Sequence, residues 1–288
     1  MSKKDPIRKP KKISKKPASF LHPAPSKTAK IIAVTNQKGG VGKTTTAINL
    51  GTAMAAVGRR VLVIDLDPQG NASTGLGIDR SARQISSYDV LMGAAPVAEA
   101  VVATKIPGLY VVPSTVDLSG AELELVTMAD RNGRLKEAIA KGGVDARFDY
   151  VLIDCPPSLS LLTLNALAAA KSVLVPLQCE FFALEGLSLL LRTIDRVKAN
   201  FNPDLDIQGI LLTMFDRRNN LSNQVAADVR GYLGDKVFKT IIPRNVRISE
   251  APSHGKPALL YDFRCPGSQA YIRLASEMLR RDRTQQAA

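Results

Sequence analysis

From residue 30 onward, short runs of apolar residues alternate with longer stretches in which apolar positions recur every three or four residues. The runs Ile31–Thr35, Val61–Asp65, Tyr110–Pro113, Tyr150–Asp154, Ser172–Pro176 and Ile207–Thr213 have the length and composition of strands. Between them, Thr44–Val57, Leu118–Met128, Arg131–Ala140, Leu161–Ala170, Leu184–Asn200 and Leu221–Leu233 read as helices, and a last helix is expected over Ser268–Arg281. The segment Leu184–Asn200 shows the pattern well. Leu184, Leu187, Leu191, Ile194 and Val197 share one helical face while Arg192, Arg196 and Lys198 lie elsewhere. Strands that are apolar throughout must be covered on both faces. Alternating with helices, they predict a doubly wound α/β fold with a mostly parallel sheet and helices on both faces. Its sites belong at the carboxyl ends of the strands. No internal repeat is visible.

Charge adds a second region to this picture. The 288-residue chain carries a formal net charge of +13. Residues 1–30 hold ten Lys and Arg against one acid, Asp5, so only about four of those charges belong to the rest. The same segment is rich in Pro and Ser and poor in apolar residues. It predicts a disordered basic tail over residues 1–29, because it cannot bury enough surface to offset its ordering entropy. A polybasic arm attracts nucleic acid or an acidic surface, or serves only to keep the chain soluble. Residues 30–288 are expected to form one domain.

Other classes are disfavoured by composition. No run of 18 apolar residues occurs, and the N-terminus has no apolar signal core, so a cytoplasmic protein with no membrane contact is expected. The three cysteines, Cys155, Cys179 and Cys265, are far apart and suggest neither disulfides nor a metal site.

Residues Asn36–Thr46 read N-Q-K-G-G-V-G-K-T-T-T, between an expected strand and an expected helix. That context makes them a phosphate-binding loop, or P-loop. Glycines let the backbone curl until several N–H groups converge on one phosphate chain, and the helix dipole adds to the pull. The loop from Lys38 to Thr45 (Lys38, Gly39, Gly40, Val41, Gly42, Lys43, Thr44, Thr45) is therefore the expected nucleotide site. Lys43 would sit between the β- and γ-phosphates, and the Thr44 hydroxyl is the expected Mg²⁺ ligand. The standard spacing wants a glycine at position 37, where this chain has Gln37. Lys38 stands instead near the loop start, the deviant form of the P-loop. The loop points this lysine away from its own phosphates and toward those of a second subunit placed face to face. An ordinary solvated lysine is the other reading.

Two further segments supply acid. V-L-V-I-D-L-D-P-Q-G-N places Asp65 and Asp67 two residues apart at a strand end, so both point the same way in extended chain. Y-V-L-I-D-C-P-P ends another strand in Asp154. One carboxylate can order water around Mg²⁺ and another can position the attacking water, because phosphoryl transfer needs placement and charge more than a strong base.

K-G-G-V-G-K-T-T, D-L-D-P-Q-G-N, D-C-P-P and I-P-R-N-V-R-I-S-E-A-P-S-H-G-K-P (Ile242–Pro257) together resemble the ParA/Soj family of DNA-partitioning ATPases, from about Lys30 to Arg281. The first three motifs are shared across the deviant P-loop superfamily, and the fourth is more specific. The resemblance implies an ATPase that uses ATP and Mg²⁺ and hydrolyses slowly until a partner stimulates it. It implies a homodimer closed around two ATP molecules, with Lys38 reaching across. The ATP-bound dimer would coat nucleoid DNA without sequence preference, and a ParB-like centromere-binding protein would trigger hydrolysis and release. By motif, Lys38, Lys43 and Asp67 take the catalytic roles, Asp67 placing the water. Thr44 binds Mg²⁺, with Asp65 and Asp154 supporting it through water. Met214, Pro243 and Asn245 become adenine contacts, and Arg218 and Arg247 become DNA contacts.

Rivals remain. A membrane-cycling relative such as the cell-division regulator MinD would need a basic amphipathic C-terminal helix, whereas this chain ends R-R-D-R-T-Q-Q-A-A with no apolar face. An electron carrier like the nitrogenase iron protein would need cluster cysteines that no motif here supplies. A guanine reader would need N/T-K-x-D, and Thr213–Asp216 reads T-M-F-D. An ATPase that positions a protein assembly rather than DNA stays open.

Overall fold

The computed structural model describes residues 28–287. Apart from Thr28 and Ala29, the basic tail expected over residues 1–29 lies outside the described residues. The elements follow as β1 (Lys30–Val34), α1 (Lys43–Ala56), β2 (Val61–Asp65), α2 (Asn71–Gly75), α3 (Ser87–Met92), α4 (Val97–Ala100), β3 (Val102–Ala103), β4 (Leu109–Val112) and α5 (Leu118–Thr127). Then come α6 (Arg134–Lys141), β5 (Tyr150–Asp154), α7 (Leu161–Ala169), β6 (Ser172–Gln178), α8 (Ala183–Asn200), β7 (Asp206–Thr213), α9 (Asn220–Leu233), α10 (Val246–Glu250), α11 (Ala258–Tyr261) and α12 (Pro266–Ala287).

Among the described residues the strands form one seven-stranded sheet in the order β3-β4-β2-β5-β1-β6-β7. All neighbours pair in parallel except β3, a two-residue antiparallel edge strand on β4. The expected doubly wound, mostly parallel architecture is the one found. The apolar runs are buried on both sides because successive side chains face opposite ways. In β1, Ile31 and Ala33 enter one core and Ile32 and Val34 the other. The first core lies under α3 and α5 to α9, and the second under α1, α11 and α12.

Two boundaries differ from the sequence reading for local reasons. The sixth helix starts at Arg134 rather than Arg131, because Asp130 sits at φ 55° and closes a turn onto Gly133. The last helix starts two residues early, at Pro266. A proline in the first turn lacks only an N–H that would have gone unbonded there.

The end of α12 is fastened to the amino ends of the strands by one buried carboxylate. Asp282 accepts from Lys30 Nζ (2.6 Å), Tyr150 Oη (2.7 Å) and Gln208 Nε2 (3.1 Å). Burial, with Asp282 beside it, pushes the Tyr150 phenol well above its ordinary value, so it remains a donor. Asp282→Ala strands three donors in a place with little water. It is expected to cost about 2–4 kcal/mol of stability, read as a lower urea midpoint with unchanged slope.

Candidate functional site

The P-loop occupies the turn between β1 and α1. Its path is fixed at both ends. Asn36 Nδ2 donates to Pro176 O (2.8 Å), and Asn36 Oδ1 accepts from Lys38 N (3.0 Å). At the far end Thr213 Oγ1 donates to Val41 O (2.8 Å), tying the loop to the end of β7. Gly40 (φ 73°) and Gly42 (φ 91°) take the left-handed conformation that a side chain disfavours. A Cβ on Gly40 would meet nothing within 4 Å, so the curl opens onto free space of the sort a phosphate fills. Gly42 caps α1, whose first N–H groups face the same space.

A cleft of about 580 Å³ extends from this loop. Gly39, Gly40, Gly42, Lys43, Thr44 and Thr45 form one wall, and Asp67 stands across from them. Met214, Pro243 and Asn245, from two loops far apart in sequence, line the same cleft. Phe215 pairs with the second loop through Phe215 N to Ile242 O (3.0 Å) and Arg244 N to Phe215 O (3.1 Å). Met214 itself is held at φ 47°. Of the residues singled out from the sequence, Val41 is buried behind the loop. Lys38 extends away from the cleft to an ion pair with Glu180.

The three acids are not equivalent. β2 and β5 pair so that Asp65 and Asp154 are direct Cα partners. Neighbouring strands lie about 4.8 Å apart, so two carboxylates end side by side. Both are fully buried. Asp65 faces inward to the protein rather than into the cleft. Its oxygens accept from Ser73 N (2.8 Å), Ser73 Oγ (2.7 Å) and Asp67 N (3.2 Å). Neither Asp154 oxygen has a hydrogen-bond partner. The Thr44 hydroxyl stands near enough to favour its anion without closing a bond. Burial raises both above the ordinary range, at Asp154 with the further push of the Asp65 charge and at Asp65 against the donors from Ser73. Burial lowers Lys43, against the pull of Asp154. Its Nζ donates to Lys38 O (2.9 Å) across the loop.

An orphaned, fully buried carboxylate next to a second one, with a hydroxyl beside it, is a set of hard oxygen donors that suits a divalent cation. Among the described residues no group of three or more Asp, Glu, His or Cys side chains forms a cage. That fits Mg²⁺, which keeps most of its waters and leans on substrate phosphates. Cys155, next to Asp154, is fully buried, and burial pushes its thiol far above its ordinary value. All three cysteines are buried and free.

The arginines singled out for DNA lie elsewhere, and both already hold carboxylates. Arg218 makes a two-pronged pair with Asp216 (3.1 and 2.9 Å), which holds that carboxyl down to about 2. Arg247 pairs with Glu250 (3.0 Å) and lies 3.7 Å from Asp262.

A family model described as "AAA domain" matches residues 29–207. The chromosome partitioning protein ParA of Caulobacter vibrioides is 62% identical over 258 residues, covering 90% of this chain and 97% of that protein. This chain belongs to the ParA/Soj family of partitioning ATPases. The sporulation initiation inhibitor protein Soj of Bacillus subtilis is 55% identical over 249 residues, or 86% of this chain and 98% of that one. Among solved structures, a Mycobacterium smegmatis protein described as cobyrinic acid a,c-diamide synthase, with ADP and magnesium bound, superposes with a TM-score of 0.77. It is 41% identical, covering 89% of this chain and 96% of that one.

Several residues of the site carry no sequence signal. Ser73, in a five-residue helix, holds Asp65 and also accepts from Ser114 N (3.0 Å). Tyr271 reaches the cleft from α12 and lies 3.3 Å from Thr46 Oγ1. Gln69, Asn71 and Arg244 line the cleft as well. Ser73→Ala removes one donor from Asp65 and the acceptor of Ser114 N. It is expected to lower stability by about 1–3 kcal/mol, measured by denaturant titration of the nucleotide-free protein.

Proposed function

We propose that this ParA/Soj-family ATPase runs a nucleotide-gated DNA-binding cycle. The carrying observation is the cleft itself, where an open glycine curl, Lys43 and Asp67 converge, with the buried, unpartnered Asp154 beside Lys43 and Thr44. ATP would seat its phosphates in the curl, held by loop N–H groups from Gly39 to Thr45 and by Lys43 in place of that lysine's present bond to Lys38 O. The base would lie between the Met214 and Pro243–Asn245 loops. Thr44 would hold Mg²⁺, with Asp65 and Asp154 acting through water, and the ion would neutralise charge on the β- and γ-phosphates. Asp67, whose Oδ1 accepts from Gln69 N (3.0 Å), would orient the attacking water.

Two copies would close face to face around two ATP molecules. The outward course of Lys38 supports its reaching the partner's phosphates, once it exchanges Glu180 for them. The dimer would bind nucleoid DNA without regard to sequence through Arg218 and Arg247, each trading a carboxylate for a phosphate. A ParB-like protein at a centromere-like site would stimulate hydrolysis and end the DNA-bound state in the cytoplasm. In this reading residues 30–288 are the ATPase domain, and the basic residues 1–29 lie outside it. No helix among the described residues is long and apolar enough to cross a membrane.

Lys43→Ala is expected to weaken Mg-ATP binding by about 10²-fold or more in calorimetry. Asp67→Ala is expected to keep ATP binding, lose hydrolysis and accumulate as dimer in light scattering. Binding to mixed-sequence duplex DNA should require ATP rather than ADP and should survive removal of residues 1–29. Arg218→Glu and Arg247→Glu should lose DNA while keeping ATP. DNA binding that ignores nucleotide and disappears with residues 1–29 would sink this cycle and leave an ATPase switch with a plain electrostatic anchor.

A further inference from the structure

A second cleft, of about 690 Å³, opens where α12 passes residues 239–241. Arg217, Lys239, Arg273, Arg280 and Arg283 line it, and all five are exposed. None has a carboxylate within ion-pair distance among the described residues. The one acid in its wall, Glu277, is committed inward. It accepts from Lys239 N (2.8 Å) and Thr240 N (2.9 Å) and pairs with Arg281 (2.8 Å). Arg281 in turn donates to Asp235 O and Val237 O and lies 4.3 Å over the Phe238 ring. Glu277 and Arg281 thus build the wall, and the other five cations are left to the opening.

Three of them form a line. Arg273, Arg280 and Arg283, with Ser276 between, follow steps of three and four residues along α12, which places them on one face. At 1.5 Å per residue the stripe runs about 15 Å, the length of about four base-pair steps of duplex. Five like charges around one concavity repel each other. A polyanion laid along the stripe relieves that repulsion and releases its own counterions. Four of the five are arginines, whose planar forks suit phosphate oxygens.

We propose that this cleft is a contact surface for the phosphate backbone of duplex DNA, additional to Arg218 and Arg247. The inference rests on the DNA-binding reading above and identifies where further backbone charge is met. Contacts of these cations with phosphate oxygens carry no base information, so the contribution is expected to be blind to sequence.

The test compares the full-length protein with the combined variant Arg273→Gln, Arg280→Gln, Arg283→Gln on mixed-sequence duplex, with ATP and Mg²⁺, across a salt series. Binding is expected to weaken by about tenfold or more, and the slope of log affinity against log salt to shrink by about 2–3. Basal ATP hydrolysis and the melting temperature should not move. The matching variant with three lysines should recover most of the affinity, since the charge is kept. If the wild type shows no ATP-dependent DNA binding, the functional reading itself fails. If the wild type binds and the glutamine variant binds with the same slope, only this inference fails. Loss of binding in the lysine variant equal to that in the glutamine variant would mark the arginines as structural and overturn the proposal. Unchanged DNA binding with lost stimulation by a ParB-like protein would also overturn it, assigning the cleft to an acidic protein surface.

Discussion

The site depends on register. β1, β5 and β2 pair in parallel so that Val34, Asp154 and Asp65 lie at one level of the sheet. Three chains therefore leave the sheet together, and each continues into the site: the P-loop from β1, the Asp67 turn from β2 and the Pro156–Pro157 turn from β5. The same register forces two buried carboxylates into adjacent places. Like charges that close raise each other's affinity for protons or for a cation. The fold compensates one of them with three donors, around Asp65, and leaves the other bare. That asymmetry is what distinguishes a metal-ready site from a fully satisfied structural network.

Much of this was legible in the sequence, for an identifiable reason. β2 and β5 begin and end where the apolar runs do, because strands buried on both faces have no polar alternation to blur their limits. The P-loop is legible because its chemistry demands glycines at fixed spacing. What stayed hidden is short or long-range. α2, α10 and α11 have four or five residues, too few to show a helical period. β3 is a two-residue edge strand. Ser73 and Tyr271 act through positions that only the tertiary fold brings near Asp65 and the loop. Sequence reasoning placed Asp65 and Asp67 on one side of an extended chain. In the folded chain the hydrogen bond from Asp67 N to Asp65 bends the strand end, so only Asp67 lines the cleft.

Net charge was a poor guide to surface chemistry for a related reason. An excess of about four charges outside the first 30 residues is a sum over regions of opposite sign. Asp67 lines one cleft, with Asp65 and Asp154 buried at the adjoining strand ends, and five cations without an ion-pair partner among the described residues gather at the other. Field strength at a surface follows the local grouping rather than the total.

The two clefts are lined by neighbouring residues of the same two segments. Thr213 and Met214 line the nucleotide cleft and Arg217 the basic one, on a single stretch of chain after β7. Lys239, Thr240 and Ile241 line the basic cleft, and Ile242 to Asn245 continue directly into the nucleotide cleft. These two stretches are bonded to each other at Ile242 N to Leu212 O (2.9 Å), Phe215 N to Ile242 O and Arg244 N to Phe215 O. In the proposed reading, a base entering between Met214 and Pro243 would press on segments that continue into Arg217 and Lys239. Energetic coupling between two sites needs a physical element that both can bias. In the proposed reading that element would be this pair of hydrogen-bonded loops, whose residues line one cleft or the other.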